Sequence, residues 1–462
     1  MKIDPSRSDG EGRLWFERAL LETGWAEAVR LTLAGGRIAA AQAGVRPEAE
    51  DERCGIAVPG LCNLHSHAFQ RGMAGLAETR GPAGDDFWTW REVMYRFLAG
   101  LTPEATQAIA ALAYAEMLEA GFTRVGEFHY LHHAPDGRAY DDPAELAARI
   151  AAAAGQTGIG LTLLPVFYAH SGFGGAPSSA AQRRFVNDLD GFARLLEASR
   201  AATAGLEGAV VGLAPHSLRA ATPDELAALV PLAQGGPIHI HIAEQTREVE
   251  DCVAWSGRRP VEWLLDAAPV DARWCLVHAT HMTPEETLRL AASGAVAGLC
   301  PITEANLGDG LFPAGAFLAA GGAFGIGSDS NVLIDAAEEL RTLEYGQRLT
   351  RRGRNLLAAA EGASTGAGLW RGALAGGAQA LGAPAGGLRA GGPADIVSLR
   401  SDHPALAARA GDAVLDSLVF AGGRGAIDGV WRAGRKRVSD GRHHQGEAIR
   451  ARYGQVLREL LA

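Results

Sequence analysis

The tripeptide His65-Ser66-His67 closes an apolar run that opens at Pro59-Gly60 and reads as a buried strand. Side chains two apart on a strand point to one face, so both imidazoles can reach a single point in space, which is half of a metal site. Alone the pair is a weak signal, because two histidines placed by packing would look the same. Three further apolar runs end on residues of the same chemistry. Ile238-His239-Ile240-His241-Ile242-Ala243-Glu244 presents His241 and, three residues on, Glu244; Leu276-Val277-His278 presents His278; Phe324-Gly325-Ile326-Gly327-Ser328-Asp329 presents Asp329. Neutral imidazoles with one carboxylate suit zinc or another late first-row divalent ion. One histidine at a strand end is usually structural, but four strand ends behaving alike are hard to assign to packing.

Those ends need a scaffold that aims them at one place. Between Val58 and about Gly386 apolar strands alternate with Ala/Leu/Glu-rich helical stretches, the pattern of a parallel α/β sheet. Eight candidate strands end near His67, Glu127, Tyr168, His216, His241, His278, Cys300 and Asp329, which predicts a (β/α)8 barrel with its chemistry at the carboxyl ends of the strands. A doubly wound sheet is the other fold this alternation permits. Helices are expected over 103–120, 182–204, 222–233, 247–265 and 284–293. The extra length is placed in a loop from Gln70 to Leu101, where Trp88 and Trp90 read as a loop core. Ahead of the barrel, short strands over 13–21, 28–33 and 36–40 are too few to close a domain of their own. They find partners in 394–399, 417–420 and 427–434, so a discontinuous β-sandwich built from both termini is expected. The divisions are 1–57 for its N-terminal part, 58–386 for the barrel and 387–462 for its C-terminal part, with a docked helix over 449–461.

Composition narrows the class. No apolar run approaches the ~20 residues of a membrane span, and Met1 to Gly10 contains no apolar signal core, so a cytoplasmic location is expected. Five scattered cysteines without a C-x-x-C pair suit a reducing compartment. A net charge of −10 argues against a general nucleic-acid binder. The absence of P-C-x-x-C excludes the thiolate zinc site of cytidine deaminases.

With these residues in view, the chain resembles the amidohydrolase superfamily over nearly its whole length, including the return Gly387-Leu388-Arg389-Ala390-Gly391-Gly392-Pro393-Ala394-Asp395-Ile396-Val397. The H-x-H pair, the H-x-x-E of His241 and Glu244, His278 and Asp329 match the deaminase branch. Within that branch Asn63-Leu64-His65-Ser66-His67-Ala68-Phe69-Gln70-Arg71 and Phe87-Trp88-Thr89-Trp90-Arg91-Glu92 are similar to the formimidoylglutamate deiminases of bacterial histidine degradation. The resemblance implies that His65, His67, His241 and Asp329 are the metal ligands and that the protein is a homodimer. Many superfamily members hold two metals bridged by a carboxylated lysine, but the only lysines here are Lys2 and Lys436, outside the barrel, so one divalent ion is expected. Ligand type favours zinc over iron. His239, two before His241, is expected to serve in the core or behind the ligands.

A metal-held water becomes acidic enough to ionise near neutral pH. The expected division of labour is that His278 or Asp329 takes its proton while Glu244 carries a proton to the substrate's imine nitrogen. The resemblance implies hydrolysis of N-formimidoyl-L-glutamate to N-formyl-L-glutamate and ammonia. Such a small anionic substrate carries two carboxylates, which call for arginine forks or hydroxyl donors. Arg91, Tyr130, His216 and Arg219 are the candidates, with Gln70 placed to hold the amidine end. Another aminohydrolase of the branch, acting on a heterocycle such as guanine or cytosine, is the alternative enzyme. A non-catalytic scaffold on the same fold is disfavoured by the full ligand set.

Overall fold

The computed structural model describes residues 11–82 and 84–462, so the amino-terminal decapeptide read for a signal lies outside the described residues. The strands Leu61–Ser66, Phe122–His129, Gly160–Phe167, Ile238–Ile242, Trp274–His278 and Val296–Leu299 are buried along their whole length. A strand covered on both faces needs no polar alternation, which is why these segments read as plain apolar runs. With Ala323–Ile326 they pair in parallel around a barrel, the last strand meeting the first through Ile326 opposite Asn63 and Ser66 opposite Asp329. The fourth strand is split into Val210–Val211 and Ala214–Pro215, both parallel to the third. It closes the ring on the fifth strand, where Leu213 N donates to Pro237 O at 3.1 Å and His241 N to His216 O at 3.0 Å. Gly212 permits that seam, since a Cβ there would lie 2.3 Å from Pro237 O. The (β/α)8 barrel is therefore the fold, and the doubly wound alternative falls.

Helices cover the barrel, several opened by capping boxes such as Thr222 with Glu225 and Thr283 with Glu286. Three expectations need correction. The stretch 182–204 is α-helical only over Leu189–Thr203, because Asp188 caps the helix by accepting from Gly191 N. The stretch 247–265 is two helices, Thr246–Ser256 and Pro260–Ala267, because Gly257 takes a left-handed φ of 74° and proline opens the next. The segment between Gln70 and Leu101 is not a plain loop: it holds the helix Phe87–Leu98, started by an Asp86–Thr89 capping box.

Both termini build one eight-stranded sheet, in which Glu52–Pro59 pairs with Ile396–Leu399 through Val58 opposite Val397. All its neighbours are antiparallel except Gly12–Leu21 with Glu52–Pro59. The sheet curls onto itself. Phe16 and Trp431 lie three strands apart, which in a flat sheet means ~14 Å, yet their ring centroids are 6.4 Å apart. The edge strand Arg37–Gln42 is held by a bond from Ile38 N to Gly392 O at 3.0 Å. One expected strand is absent: 417–420 continues the helix Ala413–Ser417 as a further helical turn. Tertiary contacts decide this short apolar run, for Gly366 N donates to Asp416 Oδ1 and Arg341 Nε to Val419 O. The terminal helix Gly446–Leu460 docks through Ile449 and Val456, with Arg450 reaching Glu119 at 3.2 Å. Among the described residues no helix is long and apolar enough to cross a membrane.

Candidate metal centre and substrate cleft

Close backbone pairing sets the first ligands. His67 N donates to Asp329 O at 2.9 Å and Asp329 N to His65 O at 3.0 Å, so the ends of the first and eighth strands are laced together. Gly327 is required for this approach: a Cβ there would stand 2.9 Å from that of His65. Asn331 ties the seam, its Nδ2 donating to His67 O at 3.1 Å and Asp329 O at 3.0 Å. Ala243, His278 and Asp329 all take left-handed backbone with φ of 51°, 69° and 44°, a concentration of strain at the strand ends that only over-determined surroundings sustain.

Three imidazole nitrogens meet at one point. His65 Nε2 lies 3.1 Å from His67 Nε2 and 3.0 Å from His241 Nε2, and Asp329 Oδ1 is 3.3 Å from His67 Nε2 and 3.6 Å from His65 Nε2. The tautomers follow from the outer nitrogens. His67 Nδ1 is 3.0 Å from Phe128 O and His241 Nδ1 is 3.1 Å from His216 O, and a carbonyl can only accept, so both Nε2 atoms carry lone pairs. Lone pairs and a carboxylate facing one another at these distances could hold a cation, and the donor set fits a divalent one. Burial pushes His65 and His241 well below the usual imidazole range and His67 down to about 3, so all three are neutral, as ligands must be. A second grouping of His278, Cys300 and Asp329 also brings ligand atoms within 4.8 Å of one another; its Asp329 approaches His65 and His67 as well, and burial raises the Cys300 thiol far above its ordinary value.

His278 stands beside the ligand cluster, its Nε2 3.8 Å from both Glu244 Oε1 and Asp329 Oδ2. In the protein by itself burial opposes its charge, yet Glu244, Glu304 and Asp329 outweigh burial and raise the imidazole to about 10. Burial, with Glu244 and Glu304 adding repulsion, lifts Asp329 to about 7 despite His278. Two carboxylates that the sequence reading missed brace the site. Glu248 accepts from Ala243 N and Glu244 N, each at 3.1 Å, and Glu304 accepts from Cys300 N at 2.9 Å and His278 Nδ1 at 3.3 Å. Their signal is only a glutamate in the first turn of the helix after a strand, which is commonplace.

Gln70, Arg91, Tyr130, His216 and Arg219 all line one cleft with Glu244, His278 and Asp329, enclosing about 710 Å³ of space that includes open solvent. His67 and His241 form its floor and His65 lies behind them. Gln70 Nε2 donates to the Tyr130 hydroxyl at 2.9 Å, leaving Gln70 Oε1 buried without a partner. Among the described residues neither Arg91 nor Arg219 is ion-paired, and the Nε of each is buried and unpartnered. For Arg219 burial opposes the charge, but the Glu248 and Glu244 carboxylates hold it above its ordinary value. Trp88 is not a loop core: the guanidiniums of Arg91, Arg247 and Arg219 stand 4.5, 5.0 and 5.8 Å from its ring, and Trp90 lines the cleft. His239 serves the core, with Nε2 2.7 Å from Ala380 O. His132, His133 and His281 bind backbone carbonyls and His170 pairs with Glu225.

A parallel barrel with this ligand set, flanked by a sheet from both termini, makes the chain a member of the amidohydrolase family, whose sequence model matches residues 56–437. Its first strands are more particular, since residues 14–55 match the model described as formimidoylglutamate deiminase HutF, N-terminal domain. The formimidoylglutamate deiminase of Pseudomonas aeruginosa is 54% identical over 97% of this chain and 99% of its own, which places the chain among the formimidoylglutamate deiminases. A crystal structure of an amidohydrolase from Brucella melitensis is 57% identical and superposes with a TM-score of 0.95, covering 98% of this chain and 100% of that one. An adenosine deaminase from Xanthomonas campestris, solved with bound zinc, shares the fold at 23% identity and a TM-score of 0.81, covering 98% of each chain.

Proposed function

We propose that the protein hydrolyses N-formimidoyl-L-glutamate to N-formyl-L-glutamate and ammonia. The observation that carries this reading is the pair of unpartnered guanidiniums, Arg91 and Arg219, in the same cleft as Glu244 and the ligand cluster. Two buried or half-buried cations that make no ion pair among the described residues, Arg219 feeling Glu248 and Glu244 only at longer range, suit a substrate with two carboxylates. A heterocycle such as guanine offers none, so these arginines disfavour it.

His65, His67, His241 and Asp329 would hold one divalent ion, and this ligand set favours zinc. When bound, the ion lowers the pKa of a water in the site toward neutrality. The side chains then divide the work. Arg91 and Arg219 bind the carboxylates and fix the glutamate nitrogen, while the unpaired Gln70 Oε1 accepts from the amidine. Asp329 and His278, coupled to each other, take up and hold the water's proton. Glu244 protonates the terminal imine nitrogen, which makes the formimidoyl carbon electrophilic. Attack gives a tetrahedral carbon bearing two nitrogens, and position decides which leaves. The glutamate nitrogen is tethered by two clamped carboxylates; the terminal nitrogen lies beside Glu244, which takes the proton of the hydroxyl on the tetrahedral carbon and passes it to that nitrogen, so the C–N bond breaks, the formyl C=O forms and ammonia departs. A homodimer is the assembly we expect, checked by light scattering.

The test is to incubate the metal-loaded protein with N-formimidoyl-L-glutamate and identify the products by mass spectrometry. Formylglutamate with stoichiometric ammonia is expected. Glutamate and formamide would reject the placement of Glu244, and no turnover together with deamination of a heterocycle would reject the substrate.

A further inference from the structure

We propose that Glu304 is the positioning residue for His278, holding the imidazole with Nδ1–H turned into the protein and Nε2 turned toward the reacting groups. The inference rests on the reading above, in which His278 acts in the cleft. It begins from the backbone. His278 is the last residue of its strand, and its φ of 69°, followed by 48° at Ala279, takes it out of extended geometry. The direction of its ring is therefore not inherited from the strand and has to be set from outside.

Among the described residues the only group bonded to Nδ1 is Glu304 Oε1, at 3.3 Å. The same oxygen accepts Cys300 N at 2.9 Å, so it is anchored to the end of the seventh strand. A carboxylate that already accepts one amide proton offers Nδ1 an acceptor, which makes Nδ1 the donor. On the other edge of the ring Nε2 lies 3.8 Å from Glu244 Oε1 and from Asp329 Oδ2, within the cleft. Turning the ring over would place carbon where Glu304 now accepts a proton and would move the cleft-facing nitrogen away from both carboxylates. Glu304 is itself held firmly. It is buried on the short helix Pro301–Leu307, whose Ile302 N donates to Glu339 Oε2 at 2.9 Å, linking that helix to Ala336–Arg351.

The test separates orientation from charge by using two substitutions of similar size. Glu304→Gln keeps an oxygen that can accept both bonds, whereas Glu304→Met keeps the volume and removes the acceptor. With both proteins metal-loaded and acting on N-formimidoyl-L-glutamate, the methionine variant should lose about 100-fold in kcat, the scale of a catalytic group displaced by ~1 Å. Its KM and metal content should stay within about 2-fold of wild type, and the glutamine variant should recover most of the lost kcat. A methionine variant that is folded, metal-loaded and as fast as wild type would overturn the proposal, as would equal losses in both variants. Should the methionine variant not fold, 15N spectra of histidine-labelled, zinc-loaded wild type supply the answer, with His278 assigned by its absence in His278→Asn. A protonated Nδ1 is expected, and an unprotonated Nδ1 would sink the idea. Failure of wild type to turn over formimidoylglutamate would instead reject the substrate reading and leave the spectrum as the measure of ring orientation.

Discussion

Replacing Arg219, a residue only 9% exposed, by methionine removes a guanidinium that has an unpartnered Nε and makes no ion pair among the described residues. A substrate carboxylate bound there is desolvated on both sides, and truncating one partner of such a pair costs about 2–5 kcal/mol. At 1.36 kcal/mol per factor of ten, kcat/KM should fall by roughly 30- to 5,000-fold. Arg91 differs, being half-buried with its guanidinium 4.5 Å from the Trp88 ring, so solvent screens its charge more. Its replacement should cost on the order of 1 kcal/mol, about 5-fold. The assay is ammonia release from N-formimidoyl-L-glutamate and from two analogues, one lacking the α-carboxylate and one lacking the side-chain carboxylate. Each arginine variant should be penalised on the full substrate and on one analogue, and spared on the analogue that lacks its partner. Equal losses on all three compounds, or a greater loss for Arg91→Met than for Arg219→Met, would refute the assignment of these arginines to the carboxylates.

His241→Ala removes one of three converging nitrogens, and elemental analysis should show one ion per wild-type chain and little in the variant; two tightly held ions per active wild-type chain would contradict the one-ion reading. Glu244→Gln keeps the side chain's size and its backbone anchors on Glu248 while abolishing proton transfer, so kcat should fall by about 100-fold or more with metal content unchanged. Far from the site, three hydrogen bonds from Arg30 hold the buried Asp51 carboxyl below its ordinary value. Because a depressed carboxyl stabilises above its unfolded pKa and loses that contribution as pH falls through its lowered folded value, Asp51→Asn should destabilise the protein near pH 6. In urea unfolding the gap to wild type should narrow below about pH 4, and a gap independent of pH would show that packing, not the ion pair, carries the effect.

Much of the site was legible because strand chemistry is local. Two-residue spacing on a strand puts His65 and His67 on one face whatever surrounds them, and apolar runs ending in His241, His278 and Asp329 marked the strand ends that a barrel gathers at one rim. Tyr130 and Arg219 were reachable by the same route, as residues just past strands, whereas Arg91 lies on the helix Phe87–Leu98 and was reached through the long segment after the first strand. What local pattern does not hold is anything decided by packing between distant segments. The run 417–420 suits a strand or a helix equally, and it is helical where it continues Ala413–Ser417 and Val419 O accepts from Arg341 Nε. Trp88 gathers Arg219 and Arg247 from distant parts of the chain beside its helix neighbour Arg91, and Glu304 meets His278 across 26 residues. Residue type and spacing thus determined which atoms could bind a metal and move protons. Only the folded chain decided which carboxylates brace them and which nitrogen of His278 faces the cleft, because those choices depend on burial and hydrogen-bond partners that exist only once the barrel has closed.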